Sequence, residues 1–119
     1  MQKLIFVVDD TDAILTMAAS ALEEDYRILT MSSAEKMFSL LSKKRPDMIL
    51  LDIEMPEVSG FDAIARLKES PEWQDIPVLF LTGYVDDAVM SKGLGLGARD
   101  IIRKSDINSS LLNHVKEHI

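Results

Sequence analysis

Asp9-Asp10, Asp52, Thr82 and Lys104 stand at or just beyond the ends of short apolar runs in this sequence. Leu4-Ile5-Phe6-Val7-Val8 leads into Asp9-Asp10, Met48-Ile49-Leu50-Leu51 into Asp52, Val78-Leu79-Phe80-Leu81 into Thr82, and Ile101-Ile102 precedes Lys104. A carboxylate at the end of a buried strand is costly unless it binds something, because desolvation and repulsion from its neighbours both oppose ionisation. Three carboxylates with a hydroxyl and an ammonium would make a site for a divalent cation and a phosphoryl group. Mg2+ takes oxygen ligands, typically one or two carboxylates with waters and phosphate oxygens, and a lysine adds a second point charge.

The elements that must position these residues follow from the spacing of apolar side chains. Ile14, Met17, Ala18, Ala21 and Leu22 predict an amphipathic helix from about Asp12 to Glu24, and a short strand is expected from Arg27 to Met31. Ser32 and Glu35 have capping-box spacing ahead of a second helix carrying Ala34, Met37, Phe38 and Leu41. Lys43-Lys44-Arg45 fits its last turn, and Pro46 stops it. After Asp52 a loop runs from Ile53 to Gly60, and a third helix turns Phe61, Ile64, Ala65 and Leu67 inward until Ser70-Pro71. Pro77 introduces the fourth strand, a helix is expected over 85–96, and a fifth strand over 99–103. The last helix, capped by Ser105 or Asp106, buries Ile107, Leu111, Leu112, Val115 and Ile119.

Five strands alternating with five helices predict an α/β fold, a flavodoxin-like doubly wound (βα)5 sandwich around a five-stranded parallel sheet of order 2-1-3-4-5. Its switch point lies between the first and third strands, and ligands bind there, outside the carboxyl ends. That topology would gather Asp9, Asp10 and Asp52, with Thr82 and Lys104 beside them.

Composition bounds the function. The 119 residues fit one domain spanning 1–119. A net charge of −7 with no basic block argues against direct nucleic-acid binding. Without cysteine there is no disulfide and no thiolate metal site. The apolar runs are far too short to span a membrane, and Met1-Gln2-Lys3 leads straight into a strand with no signal peptide, so a cytoplasmic protein is expected.

Val7-Val8-Asp9-Asp10, Leu51-Asp52-Ile53-Glu54-Met55-Pro56 with Gly60-Phe61, Phe80-Leu81-Thr82-Gly83, Gly97-Ala98 and Lys104 occur in this order. Together they resemble the receiver domain of two-component response regulators, over essentially the whole chain. The resemblance implies that Asp52 is the phospho-acceptor, taking a phosphoryl group from the phosphohistidine of a sensor histidine kinase or phosphotransfer protein. It implies Mg2+ held by Asp10, Asp52 and the backbone carbonyl of Glu54, with Asp9 acting through water. Lys104 would pair with Asp52 and then with the phosphoryl oxygens. Thr82 would turn its hydroxyl toward them, changing the surface of the fourth helix, fifth strand and fifth helix. The implied partners are that kinase, docking near Ala13 and Thr16, and a downstream output domain or protein; a phosphorylation-dependent dimer is compatible with the family. Such a domain catalyses only its own phosphorylation and dephosphorylation.

The chain departs from the family pattern at Ile101, where many receivers have Tyr or Phe, and at Ser105, where Pro is common. A non-proline cis bond costs about 2.5–4 kcal/mol, so the Lys104-Ser105 bond is expected to be trans. Gly83 fits the small residue that usually follows the threonine. Tyr84 and Glu54 are expected to border the phosphoryl group and govern water access. Two alternatives stay open. One is a degenerate receiver acting as an interaction module. The other is a haloacid-dehalogenase-type phosphatase using Asp10 in Asp10-Thr11-Asp12, disfavoured because the chain is short and no acidic motif follows Lys104.

Other features read as structural. Gly93, Gly95 and Gly97 mark either a soft fourth helix or its early end near Gly93. His114 and His118 are read as solvated rather than as a metal pair, the methionines as core, and Trp73 as an anchor for its loop.

Overall fold

The computed structural model describes residues 2–119; Met1 lies outside them. The chain alternates β1 (Leu4–Val8), α1 (Asp12–Leu22), β2 (Arg27–Met31), α2 (Ala34–Leu41), β3 (Met48–Asp52), α3 (Gly60–Glu69), β4 (Val78–Thr82), α4 (Asp87–Gly95), β5 (Asp100–Arg103) and α5 (Ile107–His118). A 3-10 turn over Lys104–Asp106 joins β5 to α5. The strands form one parallel sheet of order β2-β1-β3-β4-β5, the expected doubly wound topology.

The central strands β1, β3 and β4 are buried along their whole length because both faces are covered, whereas the edge strands β2 and β5 expose Arg27, Thr30 and Arg103. Side chains alternate between faces, so each strand feeds two cores. Phe6, Val8, Ile49, Leu51, Val78 and Phe80 pack with Met37, Leu41, Ile64 and Leu67, against α2 and α3. Ile5, Val7, Met48, Leu50, Leu79 and Leu81 pack with Leu15, Ala18, Leu22, Leu111 and Val115, against α1 and α5. The register aligns Val8 with Leu51, Asp52 with Leu81 and Thr82 with Arg103, which places the polar residues at one carboxyl edge. Among the described residues, no helix is long and apolar enough to cross a membrane.

Several helix boundaries differ from the sequence expectation, each for a local reason. Ser33, not Ser32, caps α2: its backbone is extended and its Oγ accepts the Lys36 amide at 3.2 Å. Ser32 Oγ instead accepts the Lys36 ammonium at 2.9 Å. Since α2 closes at Leu41, Lys43-Lys44-Arg45 lies beyond its last turn, and Arg45 donates to the Glu72 carbonyl. Ala63 rather than Ala65 completes the inward stripe of α3 with Ile64 and Leu67. On α5, Leu112 and Ile119 are only half-buried. Asp106 is its N-cap without using the carboxylate; its carbonyl accepts the Ser109 and Ser110 hydroxyls at 3.3 and 3.2 Å. Trp73 does anchor its loop, with its ring 5.7 Å from that of Phe38.

The glycines of α4 divide by role. The helix starts at Asp87 because Asp86 Oδ1 accepts the Val89 amide at 2.8 Å, and it continues through Gly93 to Gly95, so it does not end early. A Cβ at Gly93 would stand 2.7 Å from Ile101 Cδ1 and 3.2 Å from Phe80 Cδ2. Gly93 therefore lets α4 lie directly on β4 and β5. Gly97, at φ 109°, ends the helix in a left-handed cap, with its amide bonded to the Leu94 carbonyl at 3.0 Å.

Candidate functional site

β1 and β3 are neighbours in the sheet, so their ends bring Asp9, Asp10 and Asp52 together with ligand oxygens within 4.8 Å of one another. Asp9 and Asp52 are buried, at 0% and 1% exposure, whereas Asp10 is exposed. The 3-10 turn after β5 delivers Lys104 to the same place. Its Nζ lies 2.9 Å from Asp9 Oδ2 and 3.1 Å from Asp52 Oδ1.

Backbone amides fix both buried carboxylates. Asp9 Oδ1 accepts the Thr11 amide at 2.8 Å, at the start of α1, and Asp52 Oδ1 accepts the Glu54 amide at 3.2 Å. Asp9 Oδ2 meets the Lys104 ammonium as an ion pair without hydrogen-bond alignment, and Asp52 Oδ2 has neither an ion pair nor a hydrogen bond. Two buried carboxylates against one ammonium leave net negative charge. Burial, and next the Asp9 charge, push the Asp52 carboxyl up to about 6, although Lys104 and the Glu54 amide pull the other way. Burial by itself would lower Lys104, but Asp9 and Asp52 outweigh it and hold the ammonium above its usual range.

This arrangement fits a divalent cation. The orphaned Asp52 oxygen, the exposed Asp10 carboxylate and the all-oxygen donor set match what Mg2+ takes, and a cation would offset the uncompensated charge.

Thr82 ends β4 with its hydroxyl donating to the Tyr84 carbonyl at 3.0 Å and accepting the Tyr84 amide at 3.3 Å. By strand alternation it continues the side of Phe80, whereas Asp52 continues the side of Leu50. Gly83 is exposed, with nothing within 4 Å of where a Cβ would be, and Tyr84 is 65% exposed. Glu54 is exposed on the loop after β3. Ile101, 7% exposed, is aligned with Phe80 and packs under Gly93 of α4. Among the described residues there is no cis peptide, so Lys104-Ser105 is trans.

The packing role of Gly60 is legible only in three dimensions. A Cβ at Gly60 would lie 2.2 Å from the Asp52 carbonyl oxygen, so the start of α3 presses on the backbone of the acidic strand end.

A parallel sheet with acidic residues at its switch point and a lysine just beyond its edge strand defines an α/β domain built for a charged ligand at the strand ends. The family model of the response regulator receiver domain matches residues 5–116, and the chain belongs to that family of phospho-accepting switches in two-component signalling. It is 34% identical, over 99% of its length, to a probable cyclic di-GMP phosphodiesterase of Vibrio cholerae, and covers 27% of that protein. It is 36% identical, over 97% of its length, to the transcriptional regulatory protein YvrH of Bacillus subtilis, and covers 48% of it. The BeF3-activated receiver domain of DrrB, a Thermotoga maritima protein, superposes with a TM-score of 0.88 at 29% identity, covering 98% of this chain and 97% of that one. The chain thus spans about half or less of the two curated relatives. Receiver domains interact with histidine kinases and output domains.

Proposed function

We propose that Asp52 accepts a phosphoryl group from the phosphohistidine of a sensor histidine kinase or phosphotransfer protein, in a reaction that requires Mg2+. The observation that carries the reading is the unpartnered Asp52 Oδ2, held on a carboxylate whose other oxygen is fixed by Lys104 and the Glu54 amide. With its carboxyl pushed up to about 6, Asp52 is still mostly ionised near pH 7 yet more basic than an ordinary aspartate. Its Oδ2 attacks phosphorus, a P–O bond forms, the P–N bond to the donor imidazole breaks, and that nitrogen keeps the electron pair.

Asp10, Asp52 and the Glu54 carbonyl would hold Mg2+, with Asp9 contributing through water. The bound cation supplies charge neutralisation for the phosphoryl oxygens. Lys104, already against Asp52, exchanges the carboxylate for a phosphoryl oxygen. Thr82 trades its bond to the Tyr84 carbonyl for one to the phosphoryl group, releasing the segment that leads into α4. Tyr84 and Glu54 flank the product and limit water access, Gly83 leaves the phosphoryl group room, and Ile101 replaces the aromatic side chain many receivers have on β5. The output is a changed α4-β5-α5 surface, read by a domain or protein downstream. Residues 1–119 act as one receiver domain in the cytoplasm, contacting neither nucleic acid nor membrane directly.

Intact-mass measurement after treatment with acetyl phosphate or phosphoramidate, with and without Mg2+, tests this reading. One Mg2+-dependent phosphate, absent from Asp52→Asn, is expected. An adduct that persists in Asp52→Asn would assign the chemistry to Asp10, and no adduct in the wild type would leave a degenerate interaction module.

A further inference from the structure

His114 and His118, which in the sequence read as solvated, both face Asp100 at the start of β5. His114 Nδ1 lies 2.6 Å from Asp100 Oδ2, and His118 Nε2 lies 3.3 Å from the same oxygen. The two imidazoles are one helical turn apart on α5 and meet a strand residue 14 positions before the first of them. Glu117 adds a carboxylate oxygen, so that ligand atoms of Asp100, His114 and Glu117 all lie within 4.8 Å of one another. Asp100 is held from behind, because its Oδ1 accepts the Ile101 amide at 2.8 Å and leaves Oδ2 for the histidines. The side chains are 35% (His114), 24% (His118) and 21% (Asp100) exposed, open to a solute yet restrained by packing.

We propose that Asp100, His114 and Glu117 form a second cation site, for a divalent transition metal of the zinc class, and that His118, 3.3 Å from Asp100 Oδ2, turns in as the fourth ligand. The mixed imidazole and carboxylate donors suit Zn2+, Ni2+ or Cu2+, whereas the all-oxygen set at Asp9, Asp10 and Asp52 suits Mg2+. Ligand bonds of about 2.0–2.2 Å in a tetrahedron place neighbouring donors about 3.3 Å apart. The His118–Asp100 separation has that value, and the His114–Asp100 pair needs to open by less than an ångström. The Ile101 amide supplies the outer hydrogen bond that orients a ligating carboxylate. A bound ion would join the C-terminal half of α5 to the start of β5. This inference does not depend on phosphorylation of Asp52.

Titration calorimetry of the metal-free protein with Zn2+, in excess Mg2+, tests the site in the wild type and in Asp10→Asn, His114→Gln and His118→Gln. One Zn2+ per chain is expected in the wild type and in Asp10→Asn, weakened by about tenfold or more in each histidine variant. Co2+ in place of Zn2+ should give the visible absorption of a tetrahedral ion, lost in His118→Gln. His118 lies in the last turn of α5, so His118→Gln should keep the fold, with circular dichroism as the check, should His114→Gln fail to fold. No saturable Zn2+ binding, or binding that ignores the histidines and vanishes in Asp10→Asn, would overturn the proposal and leave Asp100 as a hydrogen-bonding dock for α5.

Discussion

The Thr82 hydroxyl is bonded twice to the backbone of Tyr84, donating to its carbonyl at 3.0 Å and accepting its amide at 3.3 Å. The end of β4 and the segment leading to α4 are thus held by a side chain that a phosphoryl oxygen on Asp52 would compete for. The exchange is small in energy. A neutral hydrogen bond nets about 0.5–1.5 kcal/mol and one to a charged group about 1.5–3 kcal/mol. Moving a two-state equilibrium from about 1:99 to 99:1 takes about 5.5 kcal/mol, so Lys104 and the cation must share the work.

Thr82→Val keeps the shape and removes the hydroxyl. It should still be phosphorylated at Asp52, but most of the phosphorylation-dependent amide shifts at Tyr84 and along α4 should disappear from the NMR spectrum. Thr82→Ser should retain them. Equal shifts in the wild type and Thr82→Val would separate Thr82 from switching.

Asp52 makes the metal-free protein sensitive to pH in a definite direction. Its carboxyl, near 3.9 in an unfolded chain, rises to about 6 in the fold, chiefly by burial. A carboxyl raised in the native state stabilises it below the unfolded value, and that contribution is lost as pH climbs through the folded value. The loss therefore falls between about pH 4 and pH 6, and two pKa units correspond to about 3 kcal/mol. Lys104 is shifted upward, so its contribution stays in place until pH rises above its usual range and does not interfere in this window. Asp52→Asn, always neutral but leaving Lys104 with Asp9 alone, should be more stable than the wild type by about 1–3 kcal/mol at pH 7.5 without metal. The gap should close near pH 4 and narrow when Mg2+ is added, as urea denaturation would measure.

Tyr84 is large, apolar in its ring and 65% exposed, two residues beyond Thr82. If its ring shields the aspartyl phosphate, Tyr84→Ala should shorten the lifetime of the adduct several-fold, while its rate of formation from acetyl phosphate changes little. Decay followed by intact mass measures both. An unchanged lifetime would remove Tyr84 from water control.

The parallel sheet was legible because its central strands are buried on both faces, so β1, β3 and β4 are unbroken apolar runs with polar residues only at their ends. The same logic marked Asp9, Asp52, Thr82 and Lys104 as polar residues at strand ends, and of these Asp9, Asp52 and Lys104 meet in the fold. Helix ends were less legible, because capping depends on which serine or aspartate has extended backbone, as at Ser33 and Asp86. The facing of His114 and His118 toward Asp100 could not be read at all, since helical spacing shows which side chains share a face but not which strand residue lies opposite. The demand at Gly60 was equally hidden: the residue it meets, Asp52, is close only after β3 and α3 are packed.

The glycines give the sharpest separation of roles. Gly95 has nothing within 4 Å of a would-be Cβ, so Gly95→Ala should stabilise the protein by about 0.5 kcal/mol through helix propensity and a less flexible unfolded chain. Gly93→Ala gains the same propensity but drives a methyl against Ile101 Cδ1 and the Phe80 ring, and overpacking of this kind costs about 1–3 kcal/mol. A net loss is expected, and Ile101→Val, which removes the clashing Cδ1, should recover part of it in the double variant. At Gly60 the obstacle is backbone: the Asp52 carbonyl at 2.2 Å and Ile53 Cα at 2.8 Å cannot move without shifting the end of β3. Gly60→Ala should therefore be the most destabilising of the three and should also slow phosphorylation, because the displaced segment carries Asp52 and Glu54. Urea denaturation ranks the variants, and phosphorylation kinetics at a temperature where all are folded isolate the effect on the site. If Gly60→Ala were as stable as the wild type and phosphorylated at its rate, the contact between α3 and β3 would play no part in holding the acceptor.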